Sequence, residues 1–238
     1  MDQFGNMAGV RMPAWAIDRA VGRRGTAYPF ASITPQATAL VVIDLQVGFM
    51  HPRGGYMACA AARDAVPNVN ALAAALRDAG GLVAWVQNTH DESCLQDWMV
   101  QQRMNTPESN ARRNAALTQG SRGHALWPDL DVRPVDEVVQ KRRYSAFMPG
   151  ASDLGPMLRS RGIDTVLITG TLTNVCCDTS ARDAMMLDFR TVMVSDGCAA
   201  TSAEEHDAAL AAFYATFGDV MDTDFILARL GATQARAA

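Results

Sequence analysis

Residues 165–195 read TVLITGTLTNVCCDTSARDAMMLDFRTVMVS. The run Thr165–Thr169 is apolar, β-branched and short, which predicts a strand. A stretch of helical length follows, Cys176–Asp188, and then a second β-branched run, Thr191–Ser195. Strand, helix and strand in that order make one crossover unit, whose strands are parallel and whose hand is right. Both strand runs are almost continuously apolar, so both faces of the sheet they join are covered.

The same alternation extends in both directions. Strands are predicted at Ala39–Asp44 (ALVVID), Leu82–Gln87 (LVAWVQ), Glu137–Gln140 (EVVQ) and Asp219–Met221. Helices are predicted at Pro67–Ala79, Ala151–Arg161, Ala203–Phe217 and Thr223–Leu230. Ala79-Gly80-Gly81 and Arg161-Gly162 have the glycine expected just beyond a helix end. The pattern predicts an α/β fold of three layers, α/β/α, with a mainly parallel six-stranded sheet of Rossmann-like type. Its domain spans residues 37–232, with an arm at 1–36 and a tail at 233–238. The arm is rich in Arg, Gly and Pro without a clear period. It reads as an extended segment packed on the body or on a neighbouring subunit. One connection, Thr89–Val132, far exceeds the usual 2–6 residues and contains Trp98 and Trp127. It reads as a lid, a binding loop or an oligomer contact, or as a surface excursion with a short helix around Gln96–Met104. Arm and excursion together predict a homo-oligomer.

Composition narrows the classes of function. Of 238 residues, 49% are hydrophobic and 19% charged, which excludes a disordered or fibrous chain. The net charge of −4 argues against nucleic-acid binding, which needs a basic face. The longest apolar stretch, Ala37–Leu45, has the length of a strand, so no membrane span is expected. The opening MDQFGNMAGVRMPAW lacks the pattern of a secretory signal. Five cysteines, Cys59, Cys94, Cys176, Cys177 and Cys198, include no CxxC pair. They read as reduced thiols of a cytoplasmic protein, with neither structural zinc nor a redox motif.

Ligands of open parallel sheets bind beyond the carboxyl ends of the strands. Asp44 ends the first strand, Lys141 follows the third, and Cys176 follows the fourth through Gly170-Thr171-Leu172. An acid, a lysine and a cysteine therefore share one edge of the sheet. Cys176 at the start of a helix would gain thiolate character from the helix dipole, and a nearby Lys141 would add to it. Asp44 could take the thiol proton and return it to a leaving amine. Each residue also has a plainer reading: Cys176 as a small buried hydrophobe, Asp44 as a loop cap, Lys141 as part of a solvated Lys-Arg-Arg run.

In their local contexts these three residues resemble the isochorismatase-like cysteine hydrolases. ALVVIDLQVGFM looks like that family's first strand with its Asp-x-Gln, VVQKRRYSAF like its lysine segment, and GTLTNVCCDTSARDAMMLDFRTVMVSD like its nucleophile block. The likeness runs from about Thr38 to Leu230. It implies a triad of Asp44, Lys141 and Cys176. Cys177 stands where the family usually has valine, and Ser180 where it has threonine. It further implies a non-proline cis peptide between Thr171 and Leu172, and an oxyanion hole made by the N–H groups of Leu172 and Cys176.

Within the family, nicotinamidases carry a metal after the second strand. Here that stretch, NTHDESCLQDW, has His90 and Asp91 but no second nearby histidine, so no metal or other cofactor is expected. Vinyl-ether hydrolases do not require the cysteine, so Cys176 favours acyl chemistry. The Lys141-Arg142-Arg143-Tyr144-Ser145 segment and Gly54-Gly55-Tyr56 are most similar to ureidoacrylate amidohydrolases and their relatives that act on N-carbamoyl compounds. The implied partner is a small amide or ureido substrate. Asn88 and Tyr144 are the candidates to hydrogen-bond it, against plainer readings as a loop-turn Asn and a core-packed Tyr. Gln46 is a further candidate that reads rather as structural, and Arg142 or Arg143 is available for a carboxylate or is plain surface charge. A vinyl-ether hydrolase and a non-catalytic binding protein of the same fold are the alternative readings.

Overall fold

Six β-branched runs pair into one sheet: β1 (Thr38–Ile43), β2 (Leu82–Asn88), β3 (Glu137–Lys141), β4 (Thr165–Thr171), β5 (Arg190–Ala199) and β6 (Asp219–Met221). Their order is β3-β2-β1-β4-β5-β6, and every pairing is parallel. The computed structural model describes residues 9–51 and 56–237, without the side chains of 92, 93, 95 and 232–237. Gly54 and Gly55 lie outside the described residues.

The chain builds outward from β1 in one direction, then crosses to β4 and builds in the other. The switch between β1 and β4 opens a crevice at the carboxyl ends of those two strands. All six residues of β1 are buried. With a period of two, Ala39, Val41 and Ile43 enter one core and Leu40 and Val42 the other. The first core lies under α1 (Ala14–Arg24), α7 (Leu154–Ser160), α8 (Asp178–Met186) and α9 (Ala203–Thr216). The second lies under α3 (Val66–Asp78) and α10 (Thr223–Ala237). The short α2 (Val47–Met50) follows β1, and α4 (Glu92–Asp97), α5 (Met99–Arg103) and α6 (Pro107–Leu117) follow β2.

Four expectations are revised. The N-terminal segment is not simply extended: α1 buries Ala16, Ile17 and Ala20 in the first core. It is fixed to its own body, because Arg24 pairs with Asp219 at 3.2 Å and the Phe30 N–H donates to the same carboxylate at 2.8 Å. It therefore adds nothing to the expectation of an oligomer. The excursion after β2 has α5 within the expected Gln96–Met104 but also α4 and α6 on either side of it, and it closes back on itself, with the His90 N–H donating to the Leu117 carbonyl at 2.9 Å. The last helix continues to Ala237 instead of stopping at Leu230. Finally, α8 starts at Asp178, and Thr173–Cys177 wind into a π-helical turn before it. No helix among the described residues is long and apolar enough to cross a membrane.

Candidate active site

β1 hands over to Asp44, whose φ of 55° lies in the left-handed region that aspartate tolerates better than most residues. Its N–H still donates to the Val86 carbonyl at 2.9 Å, so the turn begins while the backbone is tied to β2. On the neighbouring strand Gly170 has a φ of 119°, and a cis peptide joins Thr171 to Leu172. The Leu172 carbonyl then accepts from the N–H groups of Val175 and Cys177, each at 3.1 Å, on either side of Cys176. Thr173 Oγ1 meets His206 Nδ1 at 2.8 Å and ties the turn to α9.

Lys141 ends β3, two strands from β1, and pairs in register with Asn88. Its side chain crosses the end of β2. There Nζ lies 2.9 Å from Asp44 Oδ2 and donates to the Arg143 carbonyl at 3.0 Å. Neither side chain of this ion pair has exposed surface. The Cys176 thiol adjoins both charges. The structure thus brings Asp44, Lys141 and Cys176 together.

Electrostatics revise the expectation for the thiol. Burial, and after it the Asp44 carboxylate, push the Cys176 thiol up, and the Lys141 ammonium only partly opposes them. The helix-end effect is outweighed because the α-helix begins two residues further on and the sulfur is enclosed. That upward direction favours the thiol over the thiolate. Burial also raises Asp44 above the usual carboxylate range, against the pull of Lys141. For Lys141 burial works against the charge, but Asp44 and Cys176 outweigh it and hold the lysine above its ordinary value.

Cys176 opens on a cavity of about 110 Å³ whose walls include Asn88, Arg113, Tyr144 and Leu172. Asn88 Oδ1 is buried without a hydrogen-bond partner among the described residues. Tyr144 is 38% exposed and packs edge-on against Trp98, with ring centroids 4.8 Å apart.

Gln46 does not fit the candidate role of a substrate contact. It is fully buried; its Oε1 accepts the Asn88 N–H at 2.8 Å, and its Nε2 donates to the His124 carbonyl at 2.8 Å. Its amide braces the backbone that carries Asn88. Neither candidate for a carboxylate contact is free. Arg142 pairs with Asp91 at 2.7 Å, and Arg143 covers the Trp98 ring at 5.3 Å while donating to the Arg142 carbonyl.

Arg113 on the cavity wall was not singled out in the sequence. It sits in a polar Arg112-Arg113 pair that looks solvated, and only its spacing of one turn from Leu117 hints at a buried face.

His90 Nδ1 meets Asn114 Oδ1 at 2.9 Å, and His124 Nε2 meets Thr89 Oγ1 at 2.8 Å. No three His, Cys, Asp or Glu side chains among the described residues gather as a metal site. Cys177 faces away from the cavity: it is fully buried, with its sulfur 3.7 Å from the Thr169 carbonyl and beside Cys198.

A family model described as the Isochorismatase domain matches residues 38–225. Among solved structures, a cysteine hydrolase from Pseudomonas syringae pv. phaseolicola is 27% identical. The match covers 84% of this chain and 95% of that one, with a TM-score of 0.74. N-carbamoylsarcosine amidase from Thermoplasma acidophilum is 25% identical over 79% of this chain and 96% of its own, with a TM-score of 0.62. A pyrazinamidase/nicotinamidase from Streptococcus mutans is 25% identical over 77% and 99%, with a TM-score of 0.66.

Proposed function

The chain belongs to the isochorismatase family, and we propose that within it the protein is a cysteine-dependent amidohydrolase that cleaves the C–N bond of a small amide or ureido (N-carbamoyl) compound. The observation that carries this reading is the fully buried Lys141–Asp44 pair beside a thiol that faces a cavity. Two charges removed from water are costly, so their retention at a strand-end crevice suits chemistry better than stability. The amidases among the similar structures support the bond type.

The resting thiol and the raised carboxylate define the first step. Asp44 accepts the Cys176 proton as the sulfur attacks the substrate carbonyl, so no free thiolate accumulates. Lys141 remains an ammonium and balances whichever of Asp44 or Cys176 is negative. The new oxyanion is held by the N–H groups of Leu172 and Cys176. Asp44 then delivers its proton to the departing nitrogen; the C–N bond breaks and ammonia or an amine leaves. Water, deprotonated by Asp44, attacks the resulting thioester or thiocarbamate, and the proton returns to the sulfur. Asn88 Oδ1 accepts a substrate N–H, a reading supported by its lack of a partner among the described residues, with Tyr144 as the second polar contact. The five free cysteines, all buried, suit a cytoplasmic setting.

The test is ammonia release from a panel of primary amides, ureido acids and N-carbamoyl amino acids. Wild-type protein is expected to hydrolyse members of the panel and Cys176→Ala none. Turnover of a vinyl ether that survives Cys176→Ala would favour an isochorismatase-type reaction. No turnover together with an unreactive Cys176 would favour a binding protein.

A further inference from the structure

The cavity beside Cys176 has an unpartnered acceptor in Asn88 Oδ1 and a cation in Arg113. Arg113 comes from α6, one turn before Leu117, which shares the cavity wall. It is only 3% exposed. Its guanidinium carbon lies 6.0 Å from the centre of the Tyr56 ring. Nη2 donates one long bond to Asn110 Oδ1 at 3.4 Å, the guanidinium also hydrogen-bonds the Tyr56 side chain, and Nε has no hydrogen-bond partner among the described residues. No carboxylate among the described residues pairs with it.

That combination is costly. A buried guanidinium stays charged, and a buried charge without a counter-ion weakens the fold. Two part-buried arginines of this chain show the usual pairing: Arg24 has Asp219 at 3.2 Å, and Arg77 has Asp136 at 2.8 Å. Burial is the largest influence on Arg113 and works against its charge, with Tyr56 and Tyr144 opposing. The fold gains nothing evident from leaving this cation unpaired, so its counter-ion is best sought in what enters the cavity.

The geometry points to Arg113 as the residue that binds a carboxylate of the substrate, which makes the substrate an organic acid with its amide or ureido group at Cys176. This rests on the hydrolase reading above and specifies its substrate class. A guanidinium fork matches a carboxylate. The cavity, about 110 Å³, lies well below the ~300–1,000 Å³ of sites for larger ligands. Arg113 supplies the contact for which the sequence offered Arg142 and Arg143.

Iodoacetate and iodoacetamide test this without knowledge of the natural substrate, because they are similar in size and differ in charge. The measured quantity is the ratio of their Cys176 alkylation rates, divided by the same ratio on free glutathione. In wild-type protein it is expected to be about tenfold or more, the value of a charge-assisted hydrogen bond. Arg113→Gln is expected to bring the ratio close to one, and Arg113→Lys, which keeps the charge without the fork, to an intermediate value. The same variants should raise KM for N-carbamoylglycine by a larger factor than KM for its neutral amide. A wild-type ratio near one, or a ratio unchanged in folded Arg113→Gln, would overturn the inference while leaving the hydrolase reading standing. If Arg113→Gln does not fold, Arg113→Lys decides, since its ratio must fall below that of the wild type. Failure of both reagents to label Cys176 would overturn the hydrolase reading and this inference with it.

Discussion

A Cβ on Gly170 would stand 1.9 Å from the Ile43 carbonyl oxygen. β1 and β4 therefore meet backbone to backbone immediately before Asp44 on one strand and the Leu172 turn on the other. Both halves of the candidate site take their positions from this contact.

Gly170→Ala is expected to force the two strands apart and to abolish hydrolysis. Its φ of 119° adds to the clash, so the cost should exceed about 3 kcal/mol in denaturant unfolding. Gly150 also has a positive φ, 79°, but open space around it, so Gly150→Ala should cost only ~1–2 kcal/mol. Equal costs for the two would show that β1 and β4 accommodate the extra atom.

Of the vicinal cysteines only Cys176 faces the cavity. Cys176→Ser should remove hydrolysis and thiol labelling together. Cys177→Val should keep most of both, because the valine fills the same buried space and gives up only weak thiol contacts to the Thr169 carbonyl and Cys198. Mass spectrometry of the alkylated protein identifies the labelled residue; label on Cys177 with Cys176 spared would reverse the assignment.

In the proposed mechanism hydrolysis needs Asp44 ionised, and burial holds its pKa above the ordinary carboxylate value. kcat/KM is therefore expected to fall with decreasing pH along a limb placed above the usual ~4. Lys141 opposes that upward shift, so Lys141→Met should move the limb to still higher pH in whatever activity remains. A limb at or below the ordinary carboxylate value would contradict this assignment of the base.

Burial pushes Asp219 up to about 6, against the Phe30 N–H and the Arg24 charge. Between pH ~4 and about 6 the native protein holds a proton that the unfolded chain has released. Asp219 therefore makes stability decline as pH rises through that window and adds no further change above it. The difference in unfolding free energy between wild type and Asp219→Asn, followed from pH 4 to 7, isolates the effect. A difference that does not vary with pH would exclude it.

The sheet was legible because its signal is local. TVLIT and ALVVID are buried on both faces, and a run of that kind has few alternatives. Asp44, Lys141 and Cys176 were legible for the same reason, since each sits beside a strand end that the pattern already marked. What escaped depends on distant packing. α1 has a narrow apolar face of Ala16, Ile17 and Ala20, set among arginines and made sense of only by α9. The π-helical turn moved Cys176 off the start of α8, and no propensity distinguishes that turn from the first turn of a helix. Gln46 stood among the candidate ligands because its motif lies beside the site, whereas its partners are backbone groups 42 and 78 positions away. Arg113 carries no local mark of burial beyond its one-turn spacing from Leu117.

The bond from Arg24 to the Tyr214 carbonyl spans 190 positions of chain. During synthesis at roughly 5–20 residues per second, α1 leaves the ribosome about 10–40 s before α9 exists to receive it. Its buried face is too small to hold it elsewhere, so the earlier helix docks as one of the last events. α9 also grips the turn that carries Cys176 through His206 and Thr173. Closing the N-terminal segment onto α9 thus completes the back of the wall on which Cys176 stands, and a nascent chain halted before residue 203 would have its cysteine without that wall. Protection of α1 amides from exchange should accordingly arise only in chains long enough to include α9.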